Sequence, residues 1–84
     1  MSYSLGYSKL AEAQIKKLDK SLQKRIISKL GRIRVRPFSY VKKLIGVPEY
    51  SLRVGDYRII LDIVKGKLII LVLEVGHRKN IYKK

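Results

Sequence analysis

The stretch from Tyr50 to Tyr82, YSLRVGDYRIILDIVKGKLIILVLEVGHRKNIY, constrains the fold of this chain more than any other. Gly55-Asp56 and Lys65-Gly66 are turn signals, and the runs they separate are rich in Val, Ile and Leu. The pattern predicts three antiparallel strands. With Gly55-Asp56 as a two-residue turn, glycine first, Val54 faces Tyr57 and Arg53 faces Arg58. Strand alternation then sets Leu52, Val54, Ile59, Leu61 and Ile63 on one face, joined past the second turn by Leu68, Ile70 and Val72. That apolar face is the one for helices to cover. The opposite face carries Ser51, Arg53, Arg58, Ile60 and Asp62, with Ile69, Leu71, Leu73 and Val75 from the last strand. Half cationic and half aliphatic, it is expected to be an interaction surface.

The preceding segment supplies the cover. Tyr3 to Tyr7 alternates weakly and predicts a short first strand, at an edge or beside the central strands. Ser8 is placed to cap a helix beginning at Lys9, with Glu12 in its first turn. From Leu10 to Ile33 the apolar residues keep near-helical spacing. One unbroken helix would run ~40 Å, far beyond any sheet of strands ~6 to 8 residues long. A helical hairpin broken near Asp19, which can cap a second helix from Lys20, is therefore expected. The second helix ends before Pro37, because a proline disfavours helical geometry in the residue it follows. The fold class is α+β: an N-terminal strand and a helical hairpin packed on one face of a small, mainly antiparallel sheet.

Charge bears most on partners. Twenty Lys and Arg against six Asp and Glu give a formal net charge of +14 in 84 residues, one domain's worth of chain. Such an excess points to a polyanion, either nucleic acid or an acidic protein. The polar face of the helical pair carries Lys16, Lys17, Lys20, Lys24, Arg25 and Lys29, read equally well as a solvated face or as an RNA-contacting stripe. Arg32, Arg34, Arg36, Lys42 and Lys43 make the following connection very basic. With no cysteine and one histidine, neither a disulfide, a metal site nor a cofactor is expected. No apolar run has the length of a membrane span and MSYSLGYSKL lacks a signal-peptide core, so a cytoplasmic protein without membrane contact is expected.

Two groups stand out chemically. Arg53 and Arg58 are like charges directly opposite on one sheet face, which is destabilising unless an anion lies between them. The second group follows the last strand: Gly76, His77, Arg78, Lys79 and Tyr82. Gly76 releases the chain from the pleat, and Arg78 and Tyr82 are within reach of the arginine face.

These pieces together resemble the RelE/ParE superfamily of toxin–antitoxin toxins. The resemblance is carried by the G-x-P-E segment (Gly46 to Glu49), the R-V-G-D-Y-R hairpin (Arg53 to Arg58), the apolar last strand and the terminal H-R-K-x-x-Y (His77 to Tyr82). It implies a single RelE-like toxin domain over residues 1–84, held inactive by an acidic, RelB-like antitoxin. The RelE branch cleaves mRNA in the ribosomal A site, and the ParE branch poisons DNA gyrase. The RelE branch implies catalytic roles for Arg53, Arg58, Arg78 and Tyr82; Lys43, His77 and Lys79 are candidate substrate-binding residues read from their place in this sequence. One departure stands out: Ser51 takes a position where RelE-like toxins often carry a lysine. The expected activity is metal-independent, ribosome-dependent mRNA cleavage, with gyrase inhibition or non-catalytic RNA binding as alternatives.

Overall fold

The computed structural model describes residues 2–81. Two helices lie over one side of a five-stranded sheet. The strands are β1 (Ser4–Tyr7), β2 (Lys42–Lys43), β3 (Tyr50–Val54), β4 (Tyr57–Val64) and β5 (Ile69–His77). Their spatial order is β1-β5-β4-β3-β2. Every adjacent pair is antiparallel except β1 with β5, whose register runs from Ser4 opposite Ile69 to Tyr7 opposite Val72. The helices are α1 (Lys9–Lys16) and α2 (Lys20–Ile33), followed by a single-turn helix α3 (Arg78–Ile81). Among the described residues no helix is long and apolar enough to cross a membrane.

The helical hairpin breaks where local chemistry dictates. The Ser8 hydroxyl accepts from the Ala11 amide (3.0 Å) and the Asp19 carboxylate accepts from the Leu22 amide (2.8 Å), so each helix has an N-cap of the preferred kind. Ile26, Leu30 and Ile33 of α2 are fully buried against Leu52, Ile59, Leu61, Ile70 and Val72 of the sheet. Each such side chain contributes about 1.5–3 kcal/mol by leaving water. The hairpin between β3 and β4 has the expected register, with Val54 opposite Tyr57 and Arg53 opposite Arg58. Gly55 takes a positive φ of 58° in its turn, and Asp56 does not, as a glycine-first turn requires.

Three features depart from simple alternation. The β4–β5 register shifts between Ile60 and Leu61: Ile60 pairs with Glu74 and Leu61 with Val72, leaving Leu73 as an extra residue. Beyond this bulge the faces of β5 exchange. Val75, expected on the open face, is instead 2% exposed in the core opposite Ile59, and Glu74 takes the open side. α1 holds the bulge in place. Ser8 Oγ donates to the Leu73 carbonyl (2.8 Å), and the Val75 amide donates to Gln14 Oε1 (2.6 Å). The second departure is the connection after β4, a 3₁₀ turn over Lys65–Lys67 that leaves Leu68 left-handed at φ 54° and half-buried beside the core rather than in the strand. The third concerns exposed apolar surface. Ile60, Ile69, Leu71 and Leu73 are only half-exposed, whereas Val35, Phe38, Tyr40, Ile45 and Val47 are open to solvent around the entry to β2.

Candidate RNA-cleaving site

The open face of the sheet gathers the cations that the hairpin register predicts. Arg53 on β3 and Arg58 on β4 are paired directly, at a Cα separation that cross-strand neighbours share. The Arg53 Nε donates to the Gly55 carbonyl (3.2 Å), which turns that side chain along the hairpin's edge. Past β5 the Arg78 amide donates to the Asp56 carbonyl (2.9 Å), tying the start of α3 to the tip of the same hairpin. Arg78 thereby joins the other two. The Arg58 guanidinium is held below the usual arginine range, first by burial and then by the positive charges of Arg78 and Arg53. Three guanidinium groups close enough to repel one another form a ready counter-charge for a phosphate.

The other expected residues separate by face. His77 pairs with Tyr57, and its ring meets the Tyr57 ring edge-on at 5.6 Å on the helix-covered side, away from the arginines. Lys43 pairs with Tyr50, its ammonium lies 4.9 Å from the centre of that ring, and it donates to the Val47 carbonyl (3.1 Å). Lys43 also faces the helix side. Lys79 is exposed on α3, its amide donating to His77 Nδ1 (3.3 Å). Tyr82 lies outside the described residues. Asp62 stays on the open face opposite Leu71, as alternation requires.

One cation was not singled out by sequence reasoning. Lys42 pairs with Ser51 and so shares the open face, one row from Arg53 and Arg58. Ser51 itself is 6% exposed and has no room to act on a ligand. The signal for Lys42 was the basic Lys42-Lys43 pair, but its face is set by a two-residue strand that no periodicity reveals. Among the described residues no cluster of three or more metal-ligating side chains occurs.

A mixed sheet, a capped helical hairpin and a cationic open face define an α+β fold of the RelE type. A family model described as "ParE toxin of type II toxin-antitoxin system, parDE" matches residues 5–82, and the chain belongs to this family. The mRNA interferase toxin RelE of Escherichia coli (strain K12) is 27% identical over 83 residues, 95% of this chain and 87% of that protein. The RelE–RelB complex of the archaeon Pyrococcus horikoshii OT3 contains a chain 25% identical, with a TM-score of 0.80, matching over 93% of this chain and 97% of that one. The RelBE2 toxin–antitoxin complex of Mycobacterium tuberculosis aligns with a TM-score of 0.86 at 22% identity, over 93% of this chain and 100% of the other, a likeness of fold.

Proposed function

We propose that this protein is a ribosome-dependent mRNA endoribonuclease, the toxin of a type II toxin–antitoxin pair acting in the cytoplasm. The observation that carries the reading is the convergence of Arg53, Arg58 and Arg78 at one end of the open sheet face. The chemistry follows from what such a cluster does well. The substrate's 2′-hydroxyl attacks its neighbouring phosphorus, the P–O5′ bond breaks, and the products are a 2′,3′-cyclic phosphate and a free 5′-hydroxyl. Arg53 and Arg58 clamp the phosphate and offset the charge that grows in the transition state. Arg78 stabilises the leaving oxygen. In this scheme Tyr82 acts as its phenolate and takes the 2′ proton, and the departing 5′ oxygen gains a proton from solvent. Lys42 supplies an ammonium on the same face, in the row where Ser51 supplies none. The scarcity of acid–base groups beside the cluster suits an enzyme that completes its site on the ribosome, and no bound metal ion enters the scheme.

The partner that holds the toxin inactive is, on this reading, an acidic antitoxin segment, a reading supported by relatives whose structures are toxin–antitoxin complexes. A second reading, inhibition of DNA gyrase, is favoured by the description of the matching family model. Cleavage of mRNA on programmed ribosomes separates the two. Wild type is expected to cut there and to leave naked RNA intact, with Tyr82→Phe slower by about 100-fold or more and Arg58→Ala by about 100- to 1,000-fold. Intact mRNA together with loss of supercoiling by purified gyrase would replace this reading with the second. Full activity of Tyr82→Phe would remove the tyrosine from the mechanism.

A further inference from the structure

The strand order leaves one side of β3 bare where it matters. β2 pairs only with Tyr50 and Ser51, so the edge of β3 from Leu52 to Val54 has no strand beside it. Between that edge and α2 runs a cleft of about 400 Å³, open to solvent. Lys24, Arg25, Ser28, Lys29 and Arg32 line it from the helix and Arg53 from the strand. Five of these six side chains are cations, and the sixth offers a hydroxyl. The wall at the hairpin tip is Gly55, where a methyl group would meet the Arg25 guanidinium at 3.1 Å, so this glycine admits the arginine as well as forming the turn. Arg25 also borders a neighbouring hollow that contains Asp19 and Asp56. Lys24, Lys29 and Arg32 share no described hollow with a carboxylate.

An aromatic ring stands at the other end. Tyr40 is 44% exposed, lies 5.8 Å from the Lys29 ammonium, and lines a second hollow of about 310 Å³ together with Arg32 and Arg36. Arg32 belongs to both hollows, and Arg53 belongs to both the cleft and the open sheet face. The sequence Tyr40, Arg32, the α2 cleft, Arg53, Arg58 is thus one cationic path with an exposed ring at its far end. Alternating phosphate contacts and a stacking platform are what a single-stranded nucleic acid needs.

We propose that the cleft between α2 and the bare edge of β3 is a second phosphate-binding site, which takes the backbone of single-stranded RNA, with a base on Tyr40, and leads that strand to the arginine cluster. The inference rests on the ribonuclease reading for its biological meaning, but its test does not. Arg53 is the shared residue, so the cleft binds and positions while the open face cuts.

The test compares Lys24→Gln/Arg32→Gln with Lys16→Gln/Lys17→Gln, which removes the same charge from the end of the helical hairpin outside the cleft. Binding of a short single-stranded RNA is measured by fluorescence anisotropy across salt concentrations, with circular dichroism to verify the fold. The cleft variant is expected to lower the salt slope by about 1.4, two contacts at ~0.7 each, and the control to leave it unchanged. Tyr40→Ala is expected to weaken binding about fivefold or more, and Tyr40→Phe to retain it. On programmed ribosomes the cleft variant should raise KM by roughly five- to tenfold with kcat unchanged. Equal losses in cleft and control variants would mean charge without a site and overturn the inference. Unchanged RNA affinity with weakened binding of an acidic antitoxin peptide would overturn it in favour of a peptide groove. If wild type cuts no mRNA while the cleft variant alone loses RNA binding, the ribonuclease reading fails and the cleft stands.

Discussion

Lys42 and Lys43 are neighbours in sequence and occupy opposite faces of the sheet, so they make a natural experiment at the scale of one residue. Lys42 shares the open face with Arg53 and Arg58. Lys43 is spent on the Tyr50 ring and the Val47 carbonyl. Lys42→Ala is expected to slow ribosomal mRNA cleavage by about tenfold, one charge-assisted contact, while Lys43→Ala changes the rate little. Single-turnover cleavage rates of the two variants check this, and the reverse order would assign the role to Lys43. Arg58 carries a cost of burial first, and then of the charges of Arg78 and Arg53 beside it. Its folded-state pKa lies below the unfolded value, so the charged guanidinium subtracts from stability at every pH below both. That penalty is flat through the acidic and neutral range and lifts only in strong alkali.

At the scale of elements, Ser8 carries two jobs where Asp19 carries one. Each caps a helix, but the Ser8 hydroxyl also donates to the Leu73 carbonyl at the bulge. Asp19→Ala is expected to cost about 1 kcal/mol, and Ser8→Ala about 2 kcal/mol once the orphaned carbonyl is added. Urea denaturation of both variants measures the difference. Equal costs would mean that the bulge holds without α1. The contrast also marks what sequence could reveal. The caps, the helical break and the β3–β4 register were legible because each is set by residues close together in the chain. The bulge was not, because an extra residue among Val, Leu and Ile leaves no trace in their pattern. Val75 was accordingly assigned to the wrong face. Arg53 and Arg58 were legible as a pair for the first reason, whereas the approach of Arg78 depends on the β4–β5 pairing. Lys42 and the faces of Lys43 and His77 depend on long-range pairing, which only the assembled sheet reveals.

At the scale of the whole molecule, Leu10 and Ile27 are single apolar exposures on the helices, and the remaining ones among the described residues fall in the segment from Val35 to Val47. Val35, Phe38, Ile45 and Val47 surround the entry to β2, with Ile45 fully open at 101%. Scattered single exposures are ordinary, but several around one corner of a chain carrying +14 suit a partner that is both acidic and amphipathic. Co-expression with a RelB-like antitoxin is expected to yield a complex that survives moderate salt during purification, because apolar contacts outlast screened charges. Ile45→Asp should weaken it. A complex that dissolves at moderate salt, or that tolerates Ile45→Asp, would place the antitoxin elsewhere.

The order of the strands in the sheet has one more effect. β5 is the fifth strand along the chain, yet it lies between β1 and β4 and is the partner on which the first strand depends. β1 therefore has no strand to pair with until residues 69 to 77 have been made. The sheet closes only when β5 inserts between its two neighbours, so β1 and the β3–β4 hairpin are brought into one register by the same strand.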